Sequence, residues 1–137
     1  MSHPIQTAGL DHIVLRIVDK EKMVAFYRDV LGCPVEWDRP DLGMTHMRVG
    51  ASLIDLVTVN GKLGRQGGPA PGPDGRNLDH FALMVRPFDE AAIRAHLAAY
   101  GVEVGETAPR FGADGEGPSI YIKDPEGNTV ELKGPPD

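Results

Sequence analysis

The segment Leu10-Asp11-His12-Ile13-Val14-Leu15 returns in the second half of the chain as Leu78-Asp79-His80-Phe81-Ala82-Leu83. An internal repeat constrains a fold strongly, because each copy is one supersecondary unit that must bury its apolar face against its neighbour. Both segments are short runs of strand formers. Each is followed by a helical pattern that stops at a glycine. Met23, Phe26, Tyr27, Val30 and Leu31 keep the spacing of one buried helix face, with Asp19 as the predicted start and Gly32 as the stop. The second helix is predicted from about Phe88 or Asp89 to Tyr100, before Gly101. Ile93, Leu97 and Tyr100 lie on its inner face and His96 at its edge.

Three further strands are predicted in each half. They are 35–39, 44–49 and 52–59 in the first, and 102–106, 119–123 and 129–133 in the second. Asp124-Pro125-Glu126-Gly127-Asn128 is a tight turn by composition. Each half therefore reads strand, helix, strand, strand, strand, and the fold class is α+β with two tandem βαβββ modules. Module 1 covers about 9–59 and module 2 about 78–134. Between them, 60–77 is too dense in glycine and proline for a helix or interior strand, and is either a lid or a plain linker. Residues 111–117 read as a second, shorter loop.

At 137 residues this is the size of one domain. Cys33 is the sole cysteine, so no internal disulfide forms, which fits a reducing compartment. Its position after a helix stop marks it as a packed thiol. The start of the chain lacks the pattern of a signal peptide, and no apolar run approaches a membrane span. The expectation is a soluble, cytoplasmic protein. The formal net charge is -6 and basic residues do not cluster, which argues against nucleic-acid binding.

The chemistry sits on the repeat. Two histidines, His12 and His80, occupy equivalent positions, and so do two acids, Asp55 in Ile54-Asp55-Leu56 and Glu131 in Val130-Glu131-Leu132. Strand parity puts His12 with Val14 and Arg16, opposite Ile13, Leu15 and Ile17. His80 lies with Ala82 and Met84, opposite Phe81, Leu83 and Val85; Glu131 opposes Val130 and Leu132. In each strand the bulky face is free to pack on the helices while the candidate ligand takes the other. Four unrelated polar residues would not share this regularity. Imidazole and carboxylate donors together suit Ni, Zn, Mn, Co or Fe(II).

The order His12, Asp55, His80, Glu131 resembles the metal-ligand pattern of the vicinal oxygen chelate superfamily, which includes glyoxalase I, bleomycin-resistance proteins, fosfomycin-resistance proteins and extradiol dioxygenases. Ala25-Phe26-Tyr27-Arg28-Asp29-Val30-Leu31-Gly32 resembles its first helix, and the stretch from Ile120 to Leu132 resembles its terminal strand-turn-strand. The resemblance implies two modules forming an open, barrel-like cup around one divalent metal, a small-molecule substrate and a homodimer. It implies ligation by His12, His80 and Glu131, with Asp55 either a fourth ligand or a base acting through a bound water. Glyoxalase I usually has glutamate at that position, and aspartate is one methylene shorter. Arg48, His46 and Tyr121 fall on the face the family turns toward the cup and are candidates for substrate binding, whereas Arg65, Arg76 and Arg110 are placed in loops.

Three functions follow from the resemblance. The first is a metal-dependent lyase or isomerase like glyoxalase I, with Glu131 or Asp55 moving protons. The second is an Fe(II) extradiol-type dioxygenase. The third is a metal-free drug-binding protein of the bleomycin-resistance kind, ranked last because this chain retains the ligand set.

Overall fold

The computed structural model describes residues 3–136. Strand β1 (His12–Ile17) leads into α1 (Lys20–Ala25), which Asp19 caps by accepting from the Lys22 amide. Its continuation, Phe26–Val30, widens to π-type bonding, with the Leu31 amide donating to the Phe26 carbonyl. Met23, Phe26, Tyr27 and Val30 are buried, as their spacing predicts. Strands β2 (Val35–Arg39), β3 (Met44–Val49) and β4 (Ser52–Thr58) complete module 1. Module 2 holds β5 (Phe81–Met84), α2 (Glu90–Ala99, capped by Asp89), β6 (Ala108–Gly112), β7 (Gly115–Lys123) and β8 (Thr129–Lys133).

The two sheets have matching orders, β1-β4-β3-β2 and β5-β8-β7-β6, and do not close into a barrel within one chain. Their registers also match. Val14 lies opposite Asp55 as Ala82 lies opposite Glu131, and His46 opposite Asp55 as Tyr121 opposite Glu131. The repeat thus extends to individual residue pairs. Leu15, Ile17, Ile54 and Leu56 of module 1 and Ile120, Ile122, Val130 and Leu132 of module 2 belong to one buried cluster.

A polar joint ties the modules together. The Tyr27 hydroxyl, in a buried setting, donates to Asp124 Oδ2 at 2.8 Å, and Asp124 Oδ1 accepts the Glu126 and Asn128 amides. Burial and the facing carboxylate push the Tyr27 phenol well above its ordinary range. The Glu126 carboxylate in turn accepts the Val18 and Asp19 amides. The turn 124–128 therefore serves as a connector between modules as well as a hairpin end, and Gly127 permits it at φ 83°.

The predicted strand 102–106 does not form; β6 lies further along, at Ala108–Gly112. The predicted loop 111–117 is instead the end of the β6–β7 hairpin, with Phe111 opposite Glu116 and Gly112 opposite Gly115. Its glycines serve pairing and close approach: a Cβ on Gly117 would meet the Pro135 carbonyl oxygen at 2.6 Å. Tyr100 is exposed, because it caps α2 beyond the last full turn and is rotated off the inner face that Leu97 buries. His96 bonds the Val30 carbonyl at 2.8 Å, bridging α2 to the end of the first helical segment.

Candidate metal and substrate site

Each module brings one histidine and one acid together at the matched positions. In module 2, His80 directly precedes β5 and its Nε2 lies 3.2 Å from Glu131 Oε1. The Ser119 hydroxyl donates to Glu131 Oε2 at 2.8 Å. In module 1, His12 opens β1 and its Nε2 lies 3.9 Å from Asp55 Oδ2, while His46 Nδ1 bonds Asp55 Oδ1 at 2.7 Å. The acids are buried, Asp55 at 4% and Glu131 at 5% exposure, and among the described residues neither pairs with a lysine or arginine. A carboxylate held this way is costly to keep charged.

The flanking Asp11 and Asp79 meet the other nitrogen of each ring. Asp11 Oδ1 is 2.8 Å from His12 Nδ1, and Asp79 Oδ2 is 2.6 Å from His80 Nδ1. The Asp11 hydrogen bond first, and the Asp55 charge second, raise the His12 pKa above the ordinary imidazole value.

The remaining candidates divide. His46 is buried against the edge of Trp37 (centroids 5.6 Å), with Nδ1 engaged by Asp55 and Nε2 buried without a partner. Its Nδ1 is thus committed to Asp55, and Nε2 is the ring atom left for any other contact. Arg48 is half-buried and faces Glu36 at 3.4 Å. Tyr121 sits edge-on to His80 (centroids 5.4 Å) under the Arg110 guanidinium, 4.4 Å from its ring centre. Desolvation, then the Glu131 charge, raises the Tyr121 pKa. Arg110, expected in a loop, is on β6 and also donates to the Ser119 carbonyl at 2.7 Å. Burial pushes Cys33 up to about 11, in keeping with a packed thiol.

The described residues of one chain contain no group of three or more His, Cys, Asp or Glu side chains arranged to hold a metal. The exposed faces beside the two histidine–acid pairs are apolar: Val14, next to His12 on its face, is 48% exposed, and Met84, on the face of His80, is 69% exposed.

Arg16, on the His12 face of β1, secures the segment 60–77. Its guanidinium donates to the carbonyls of Gly64, Gly67, Gly68 and Pro69 at 2.8–3.0 Å. Asn77 brackets the Arg16 backbone and reaches Asn128, and Arg76 donates to the Glu126 carbonyl. The segment is an anchored loop, including a helical turn at Gly64–Gly67, rather than a free linker.

Sequence reasoning missed Ser119, Asp11, Asp79 and the Arg16 anchor. The doubled Asp-His dipeptide was a visible signal for two of these; Ser119 and Arg16 depend on tertiary neighbours that no local pattern marks.

Comparison with known proteins agrees with this architecture. The profile of the Glyoxalase/Bleomycin resistance protein/Dioxygenase superfamily matches residues 9–132, and the chain belongs to that superfamily. It is similar to the virulence protein STM3117 of Salmonella typhimurium, 29% identical over 127 residues that cover 90% of this chain and 81% of that protein. The solved structure of STM3117 superposes with a TM-score of 0.79 at 22% identity, over 96% of this chain and 99% of that one. Lactoylglutathione lyase from Agrobacterium tumefaciens shares the fold at TM-score 0.65 and 22% identity (93% of this chain, 94% of that one). So does the fosfomycin resistance protein FosX from Listeria monocytogenes, at TM-score 0.70 and 23% identity (93% and 91%). No helix among the described residues is long and apolar enough to cross a membrane.

Proposed function

We propose that this protein is a divalent-metal-dependent lyase or isomerase of the glyoxalase kind, acting on a small substrate through two adjacent oxygens, and that it works as a homodimer. The observation that carries the reading is the matched pair of half-sites, each with a histidine Nε2 directed at a buried carboxylate that, among the described residues, has no lysine or arginine partner. This donor set fits Ni, Zn, Mn, Co or Fe(II), and a dication would offset the buried charge.

His12, His80 and Glu131 would hold the ion. When bound, it acts as a Lewis acid that polarises adjacent substrate oxygens. Asp55 is suited to the proton transfer: His46 occupies Oδ1 and orients the carboxylate, leaving Oδ2 as the free base. Tyr121, beside His80 and under Arg110, is placed to donate to a substrate oxygen. Arg48 would exchange Glu36 for a substrate anion.

A second copy of the chain would complete the site. It would bring the His12 pair of one protomer to the His80 pair of its partner and cover the exposed Val14 and Met84 faces. The deciding experiment is metal analysis of the purified protein, combined with light scattering and a turnover screen of 2-oxoaldehyde–thiol adducts and acyl thioesters. Stoichiometric Ni, Zn, Mn or Co in a dimer with turnover is the expected result. Oxygen-labile iron would redirect the reading to ring cleavage. A protein that takes up no metal, even when a chelated sample is reloaded, overturns it.

A further inference from the structure

A histidine binds a metal through whichever ring nitrogen carries a bare lone pair, and that is decided by what the other nitrogen bonds. At both candidate histidines the deciding partner is the preceding residue. The Asp11 carboxylate meets His12 Nδ1 at 2.8 Å and the Asp79 carboxylate meets His80 Nδ1 at 2.6 Å. An ionised carboxylate only accepts, and in each ring the closer carboxylate is the aspartate's (2.8 against 3.9 Å at His12, 2.6 against 3.2 Å at His80), so in the neutral ring Nδ1 carries the proton and Nε2 is the bare nitrogen. Those Nε2 atoms are the ones that face Asp55 and Glu131.

Neighbouring residues inside a regular strand point to opposite faces, so an Asp-His contact of this kind needs an irregular start. Both modules provide one. The ladder of β1 begins at His12 and that of β5 at Phe81, so Asp11 and Asp79 lie before it and curl back onto the ring. These side chains are 92% and 95% exposed, and among the described residues each makes a side-chain hydrogen bond to its histidine alone.

An exposed carboxylate beside a histidine is ordinarily worth little to a fold. Here the same contact occurs twice at equivalent positions, although the modules have diverged around it, with His46 opposite Asp55 in one and Tyr121 opposite Glu131 in the other. We propose that Asp11 and Asp79 are positioning residues, which hold His12 and His80 as Nδ1–H tautomers and present both Nε2 lone pairs to the metal. This rests on the ligand assignment above, and its test separates the two.

The first measurement uses metal-free protein at a pH where both imidazoles are neutral. Long-range proton–nitrogen NMR of the wild type should show Nδ1 protonated and Nε2 bare in both rings. Asp11→Ala should release His12 alone to a mixture of tautomers, and Asp79→Ala should release His80 alone. In titrations with Ni(II) or Zn(II) on their own, each alanine variant should lose about 10–100-fold in affinity. Asp11→Asn and Asp79→Asn retain an accepting oxygen and should recover most of it. Thermal unfolding should be unchanged, since both side chains are exposed. Tautomers and affinities that stay at wild-type values in the alanine variants overturn the proposal, as would asparagine variants no better than alanine. A wild-type protein that binds neither ion defeats the metal-site reading instead, while the NMR still decides whether the aspartates set the tautomers.

Discussion

The two half-sites have one backbone frame and different chemical endings. Val14 faces Asp55 in the same register as Ala82 faces Glu131. Yet Glu131 reaches within 3.2 Å of His80, while Asp55, one methylene shorter and held by His46, stops 3.9 Å from His12. The supporting donors differ in kind as well: Ser119, a small hydroxyl, in module 2, and His46, a buried ring, in module 1. A repeat thus supplies position, and the side chains around each acid decide what it is free to do. Under the proposed function, Glu131 would serve ligation and Asp55 proton transfer, and that division can be broken experimentally.

The largest effect is expected from His80→Ala. If His80 ligates the metal as proposed, its removal should reduce Ni(II) or Zn(II) affinity by more than the roughly 10–100-fold typical of outer partners. Its ring is half-exposed, so circular dichroism should report an intact fold. Unchanged affinity in a calorimetric titration would remove module 2 from the site. Next in size is Asp55→Asn, which should retain the metal and lower turnover by about 10²–10⁴-fold, the usual contribution of a positioned base. Glu131→Gln should instead lose the metal. If both variants lose metal alike, the acids are equivalent and the difference of distances carries no division of labour.

Much of this frame was legible in the sequence, because it depends on local signals. The doubled Leu-Asp-His motif, the caps at Asp19 and Asp89 and the alternation along β1 and β5 each follow from nearest neighbours. What was not legible depends on pairing. Parity correctly put His46 and Arg48 on one face, but only the β3–β4 register shows that His46 lies against Asp55 and is occupied there. Glycine and aspartate in 111–117 suit a loose loop and a tight hairpin equally, so the β6–β7 ladder, and with it Arg110 over Tyr121, stayed hidden. The carbonyls gathered by Arg16 belong to a segment whose path local composition does not determine.

The supporting donors give a third, smaller contrast, in stability. His46→Leu would leave the buried Asp55 carboxylate without its one close donor, at a cost of about 1–3 kcal/mol. The same change also removes the unpartnered Nε2, a partial offset. Ser119→Ala should be milder, because it deletes one hydroxyl and puts no added apolar bulk against the carboxylate. Urea unfolding of the metal-free variants checks the order. A reversed order would mean that His12 closes on Asp55 once His46 is gone, and module 1 would then resemble module 2.

The smallest effect concerns Arg16, whose repeat equivalent is Met84: Arg16 lies opposite Val57 as Met84 lies opposite Lys133. Module 1 uses this position to gather backbone carbonyls of 64–69, whereas module 2 leaves it exposed. Arg16→Met makes the modules alike at this point and frees the loop. Water can replace most of the lost hydrogen bonds, because the carbonyls lie near the surface, so global stability should fall by no more than about 1 kcal/mol. The local consequence is larger than the global one. Hydrogen exchange at the amides of Arg65 and Gln66, which hold the Gly64–Gly67 turn, should accelerate toward that of an open loop, while exchange in β5–β8 stays unchanged. If those amides remain as protected as in the wild type, Asn77 and the glycine-rich backbone hold the loop without Arg16, and the modules differ at this position in side chain alone.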